Sequence, residues 1–261
     1  MSNTRQPAVA GMFYPGSAET LHREVQDYLA AAHPAGPAPK AVIVPHAGYV
    51  YSGPVAASAY ARLHGAAEQI HRVVLLGPSH RVGFPGLAAS TADEFLTPLG
   101  PIPLDREAID RALALPQVRV LDQAHALEHS LEVQLPFLQE VLGTFRLVPL
   151  VVGDATPQDV GEVLELLWGG TETLIVISSD LSHYYDYATA RELDAATTQA
   201  IEGLRLEDIG AEDACGRHPV KGLLWVARRK GLSVETVDLR NSGDTAGPRD
   251  QVVGYGAYVF H

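Results

Sequence analysis

At 261 residues, 46% hydrophobic and 19% charged, the chain has the make-up of one large α/β domain or two small ones, with a core that needs no disulfide or structural metal. A net charge of −12 argues against nucleic acid as a partner and against electrostatic binding to an anionic membrane. The one cysteine, Cys215, excludes an internal disulfide.

The first residues, MSNTRQPAVAG, lack the charged-then-apolar pattern of a signal peptide. No apolar run approaches the roughly 18 residues a membrane span requires, so a cytoplasmic location is expected. Apolar spacing predicts a helix over Ala18–Ala32, then a linker-like stretch His33–Pro39 (HPAGPAP). Strand Lys40–Val44 follows, then a helix from Pro54 to Leu63 with Pro at its first turn. Strand Val73–Leu76 and a shorter apolar segment, Gly86–Ala89, come next. Asp105 caps a helix to Leu115. His129–Leu142 has helical spacing, with Pro136 marking a kink or restart.

Leu147–Val152 reads as a strand. Thr156–Pro157, a cap followed by Pro, opens a helix to Trp168. Leu174–Ser179 is a strand, Ala188–Gly203 and Pro219–Lys230 are helices, and Val234–Leu239 and Val252–Phe260 are strands. Strands alternating with helices imply βαβ units. The expected architecture is a single α/β domain over residues 1–261, with a mainly parallel central sheet flanked by helices.

Three of these strands run out into a histidine. KAVIV leads to His46, VVLLGPS to His80, and LIVISSDLS to His183. Ligand sites of open α/β sheets lie beyond the carboxyl ends of the strands, so one shared site is expected, built for a metal or for acid/base work. Gly77 and Pro78 suggest a tight turn that places His80. His46 and His80 could instead merely bond a backbone carbonyl.

The polar run SSD directly after a buried strand is costly unless its groups are used. Asp180 lies three residues before His183 and can accept its ring N–H or share a ligand with it. The bland alternative is a helix cap beside an exposed His183. Glu128 and His129, in ALEHSLEVQLPF, read equally as a first-turn acid and a surface residue. Cys215, before Gly216, Arg217 and His218, is either a buried small apolar residue or a thiolate at a helix N-terminus.

Together these motifs resemble the Memo family, whose bacterial and archaeal members are called AmmeMemoRadiSam system protein B. The resemblance is carried by RQPAVAGMFYP (5–15), HAGYVY (46–51), GPSH (77–80), EHSLEVQLPF (128–137), SSDLSH (178–183), CGRHP (215–219) and the tail ending in His261. It implies a fold like the LigB-like class III extradiol dioxygenases, which are non-haem iron enzymes. It also implies that His46 and His80 match the two iron-ligand histidines, and that Asp180 and His183 match pocket residues beside the metal. Glu128 and His129 match the family's EHS motif. Cys215 stands where those dioxygenases carry a carboxylate. Two imidazoles and a carboxylate make the facial triad of Fe(II) oxygenases, whereas two imidazoles and a thiolate also suit Zn or Cu(I).

The resemblance thus implies a metal site, with Fe(II) first and Cu or Zn as alternatives. The implied activity is O₂-linked redox chemistry on a small molecule, with His183, positioned by Asp180, as acid/base. Cys215 is expected to be a thiolate with metal and prone to oxidation without it. A different reading is a non-enzymatic module that binds a peptide or protein in the same pocket, with Arg217 or Arg5 receiving an anionic group. The family name implies a radical SAM protein and an AMMECR-type protein as partners. A hydrolase built on Ser79 or Ser182 is disfavoured, because no G-x-S-x-G elbow is present.

Overall fold

A computed structural model describes residues 3–261. Residues 1–2, the start of the stretch read above against a signal peptide and of the expected 1–261 domain, lie outside it. A short strand β1 (Thr4–Arg5) precedes helix α1 (Ala18–Ala31). Ser17 caps α1 by accepting from the Thr20 N–H, and Leu21, Val25 and Leu29, spaced by four, form its buried face.

Strand β2 (Ala41–Val44) is buried throughout. Helix α2 (Tyr49–Tyr60) starts more than a turn before the expected Pro54, which therefore lies inside it. The bond that proline removes is outweighed by anchoring: Tyr49 N donates to Phe13 O, and Tyr49, Ser52, Gly53, Val55 and Ala56 are buried.

Strands β3 (Arg72–Pro78), β4 (Leu87–Ala89), β5 (Glu94–Thr97) and β6 (Gly100–Pro103) come next. Helix α3 (Arg106–Leu113) is capped by Asp105 as its sequence predicts. Strand β7 (Val118–Val120) and helix α4 (Asp122–Ala126) lead to a 3-10 turn at Glu132–Gln134 and helix α5 (Leu135–Leu142). Pro136 sits in the first turn of α5, so the helical register restarts there instead of kinking.

Strand β8 (Arg146–Val152) precedes helix α6 (Pro157–Leu167), which a Thr156/Asp159 capping box opens. Strands β9 (Thr173–Ser178) and β10 (His183–Tyr185) follow, then helices α7 (Tyr187–Glu202) and α8 (Arg217–Lys230). Strand β11 (Val234–Asn241), the short helix α9 (Ser242–Thr245) and strand β12 (Val252–Phe260) complete the described chain.

The nine-stranded sheet runs β10–β12–β2–β9–β3–β8–β4–β7, with β11 also paired to β12. Its centre, β2–β9–β3–β8, is all parallel. The flanks turn antiparallel where β12 meets β2 and where β4 meets β8. The result is a mixed sheet, parallel where the strands are buried on both faces. Helix α8 packs on β3 and β9, and α2 on β2 and β12. One hydrophobic cluster runs through the α/β domain. A separate three-stranded sheet joins β1, β5 and β6.

A buried ion pair, Arg5–Glu132, ties the N-terminal segment to the rest. Glu132 also accepts from the N–H groups of Ala8 (2.7 Å) and Val9 (2.9 Å) and from the Tyr14 hydroxyl (2.6 Å). Arg5 donates further to His125 O and Glu128 O. With its donors engaged and its side chain buried, Arg5 is not the anion receptor that the sequence suggested. Removing one member of such a pair leaves buried polar groups uncompensated. Glu132→Ala is therefore expected to cost about 3–5 kcal/mol in urea unfolding. A loss under about 1 kcal/mol would equate the clamp with a surface pair.

Candidate metal centre

The parallel register aligns three strand ends. Val44 of β2 pairs with Ser178 of β9, and Leu76 of β3 with Ile177 of β9. The residues just beyond, His46, Asp180 and His80, therefore emerge at one end of the sheet. The expected turn at Gly77–Pro78 is absent. Both residues stay in β3, paired with Val151 and Val152, and the chain leaves the strand at Ser79. Glycine is required at 77 for a different reason: a Cβ there would stand 2.8 Å from Ser130 Oγ and 2.9 Å from Leu131 Cδ2.

Cys215 arrives from the opposite direction, just before Gly216, the N-cap of α8. A Cβ on Gly216 would stand 2.6 Å from Ser179 Cβ and 2.8 Å from Ser178 O, so only glycine lets this helix begin so close to the end of β9. Asp180 then stitches the two together. Its N–H donates to Cys215 Sγ (3.3 Å), its carbonyl accepts from Cys215 N (3.3 Å), and its Oδ1 accepts from His46 N (2.7 Å).

Sγ of Cys215 lies 3.3 Å from His46 Nε2. The ligating atoms of His46, His80 and Cys215 all fall within 4.8 Å of one another. Ligands bound at the usual Zn–N and Zn–S lengths stand about 3.3–3.8 Å apart around a tetrahedral ion. This N,N,S set fits a metal ion and could hold one.

His80 is oriented by Glu128, whose Oε1 accepts from His80 Nδ1 (2.8 Å) and whose Oε2 accepts from His80 N (2.6 Å). Glu128 Oε1 also accepts from the N–H groups of His129 and Ser130, both at 2.9 Å. A carboxylate so engaged makes His80 Nδ1 the protonated nitrogen and leaves Nε2 as the ligating one. Glu128 could itself join a second group with His80 and His129, but its bonds suit it better to orienting a ligand. His129 stacks on His80, with ring centroids 4.5 Å apart, and meets His46 edge-on at 5.4 Å.

Asp180 does not hold His183. Nδ1 of His183 donates to Leu181 O at 2.8 Å, a bond made within its own turn. Tyr184, next in sequence, is 70% exposed and held at φ +63°, a left-handed backbone that a non-glycine residue adopts only under constraint.

His46, His80, His129, Asp180 and His183 line a cavity of about 630 Å³ whose mouth carries exposed Met12, Tyr51 and Tyr184. Among the described residues no Lys or Arg lines it, and neither Arg5 nor Arg217 reaches it. The hydrolase reading loses both serines, because Ser79 Oγ donates to Val82 O (2.6 Å) and Ser182 is fully buried.

Burial, then the neighbouring His80, His129 and His183, hold His46 well below its ordinary pKa. Burial likewise takes His129 down to about 4. Both are neutral at pH 7, as a ligating imidazole must be. Burial pushes Asp180 up to about 6, against the bond from His46 N–H and the His183 and His80 charges. Burial and the Asp180 carboxylate push the Cys215 thiol far above its usual range. Without a metal it is therefore a neutral thiol. A neutral thiol is the less readily oxidised form, which runs against the ease of oxidation expected of metal-free Cys215 and leaves the expected metal-bound thiolate untouched.

Sequence reasoning noted Ser178 only within the SSD run and missed Ser130 and Gln134, which hold Ser178 behind His46. The signal was present in SSD and EHSLEVQ, polar residues placed where a core should be apolar.

A family profile described as Memo-like protein matches residues 5–259. A MEMO1 family protein of Aquifex aeolicus (strain VF5) is 38% identical over 272 residues, covering 98% of each chain. Another, from Ignicoccus hospitalis, is 38% identical over 289 residues, again with 98% of each chain covered. One from Methanococcoides burtonii is 37% identical, covering 98% of this chain and 99% of its own. Among solved structures, an uncharacterized protein from Escherichia coli K12 matches with a TM-score of 0.55 at 12% identity, over 84% of this chain and 98% of that one. That likeness concerns the fold alone.

Burial raises the Glu128 carboxyl, yet the bonds and charge of His80 with the N–H groups of His80 and Ser130 outweigh it and hold the group at about 2. Its folded pKa lies below the unfolded value of about 4.3. The stability it contributes is therefore complete above that unfolded value and is lost as pH falls toward 2. In metal-free protein, the stability difference between wild type and Glu128→Gln should grow from pH 2 to about 4.5 and then level off. Chemical denaturation across that range measures it, and a pH-independent difference would contradict the assignment.

Proposed function

The chain belongs to the Memo family, and from that footing we propose that it is a metal-dependent redox protein acting on a small molecule with O₂. The proposed ligands are Nε2 of His46, Nε2 of His80 and the thiolate of Cys215. The observation that carries the reading is this N,N,S set, closed to within 4.8 Å, whose two histidines line a cavity large enough for a small molecule. Fe(II) is the proposed ion, with Cu or Zn as the alternatives that a thiolate would also suit. Bound iron or copper would supply one-electron chemistry, and any of the three ions would supply a positive charge beside the substrate.

The chain's own groups supply the remainder. With Nδ1–H of His183 committed to Leu181 O, its Nε2 is left to take or give a proton in the cavity. Asp180, buried and pushed up to about 6, holds His46 and Cys215 in place through its backbone and carboxylate. Met12 and Tyr184 stand at the mouth, where a bound molecule would cover them and shed water.

The exposed side chains of Met12, Tyr51 and Tyr184 favour a second reading, a surface that receives a peptide or protein without catalysis. The radical SAM and AMMECR-type proteins named by the resemblance are the proposed candidates. Binding of such a partner that survives His46→Ala and His80→Ala would select this reading.

Because metal-free Cys215 is a thiol, loading the ion must release its proton. Metal affinity should therefore rise about tenfold per pH unit near neutrality, read by chelator competition on protein purified anaerobically. Cys215→Ala should melt within a few degrees of wild type in excess chelator, and should lose the upward shift that added metal gives wild type, about 2.7 kcal/mol at a hundredfold excess over Kd. A pH-independent affinity, or an equal metal-induced shift in both proteins, would remove Cys215 from the ligand set.

A further inference from the structure

Behind His46 lies a closed chain of buried groups whose protons can be assigned one by one. Ser178 Oγ is 2.6 Å from Ser130 O, 2.8 Å from Gln134 Nε2 and 2.9 Å from His46 Nδ1. A carbonyl oxygen only accepts, so the single Ser178 hydroxyl proton goes to Ser130 O. The Gln134 amide is oriented independently. Its nitrogen also faces Pro45 O (2.9 Å), which only accepts, and its Oε1 accepts from the Tyr60 hydroxyl (2.9 Å). Gln134 therefore donates to Ser178 Oγ.

The hydroxyl oxygen now has a lone pair, and no proton, to offer His46. The backbone and side chains of Ser130, Gln134 and Ser178 are fully buried, so no solvent can rearrange the pattern. A bare Nδ1 would place two lone pairs face to face at 2.9 Å.

We propose that Ser178 is a positioning residue that locks His46 in its Nδ1–H tautomer before any metal arrives, leaving Nε2 bare toward Cys215. The inference deepens the metal reading and rests on it only for its effect on affinity. The alternative tautomer is a real competitor. Neutral histidine in water favours Nε2–H, and Cys215 Sγ stands ready 3.3 Å away to accept that proton. An Nε2–H there would occupy the lone pair that a metal needs. The two proposed ligands are thus locked by unlike partners: His80 by the carboxylate of Glu128, His46 by a neutral hydroxyl whose proton is aimed elsewhere.

The test is two-bond ¹H–¹⁵N correlation spectroscopy of the ring nitrogens in chelator-treated protein, paired with Zn²⁺ affinity from chelator competition. Wild type should show a protonated Nδ1 and a bare Nε2 at His46. Ser178→Ala should shift His46 toward Nε2–H and weaken Zn²⁺ binding roughly 10–100-fold, as loss of an outer partner does. Ser178→Thr, which keeps the hydroxyl, should restore both. An Nε2–H tautomer in wild type, or an unchanged Nδ1–H tautomer in Ser178→Ala, overturns the proposal whatever zinc does. Failure of wild type to bind Zn²⁺, Fe(II) or Cu(I), with the tautomer shift as expected, overturns the metal reading and leaves the tautomer lock standing.

Discussion

The register between β2, β9 and β3 is the constraint from which the rest of the site follows. A strand shifted by one residue turns every side chain to the opposite face. Here the pairings Val44–Ser178 and Leu76–Ile177 set the ends of three strands level. Level ends bring His46, Asp180 and His80 out together, and the Asp180 backbone then receives Cys215 from the segment that leads into α8. No long loop is needed to gather these groups. The strands are buried on both faces, so the apolar core that fixes the register also fixes the spacing of the site.

The same burial separates two carboxylates. Glu128 and Asp180 both lie almost fully buried beside a proposed ligand. Glu128 gathers several N–H groups and a histidine ring and stays ionised at low pH. For Asp180, burial outweighs the backbone N–H and histidine charges that favour its ionised form. Neighbouring groups whose environments push their titration apart take different tasks. One is an anionic support for a ring, and the other is a group near its switching point next to the cavity.

Much of this was legible in the chain. Runs of Val and Ile bounded by Gly, Pro or Ser marked β2, β3, β8 and β9, and Asp105 and Thr156 marked helix starts by the hydrogen bonds their side chains make. The histidines were conspicuous because polar residues rarely follow buried strands without use. Cys215 came into the site mainly through the family resemblance, since a lone cysteine says little by itself. What stayed hidden depends on distant partners. The β5–β6 hairpin is short and proline-rich. The start of α2 is set by an anchor on Phe13. The bonding of His183 to its own turn, and of Ser178 to Ser130 and Gln134, are choices among acceptors that no local pattern distinguishes.

The place of β12 in the sheet also bears on how the protein is made. This strand, the latest in the described chain, pairs with β2, β10 and β11, and through Val253 and Tyr255 it supplies part of the cavity wall. On the ribosome, β2 (Ala41–Val44) emerges well before β12 (Val252–Phe260) and must wait for the long intervening stretch to be made before that neighbour exists. Until then its edge stays open to stray pairing, and closure joins segments far apart in sequence, which is slow. The half-made chain therefore has its parallel strands but not its finished pocket. Nascent protein should depend on being kept from aggregating longer than a protein whose early strands pair with one another as they emerge.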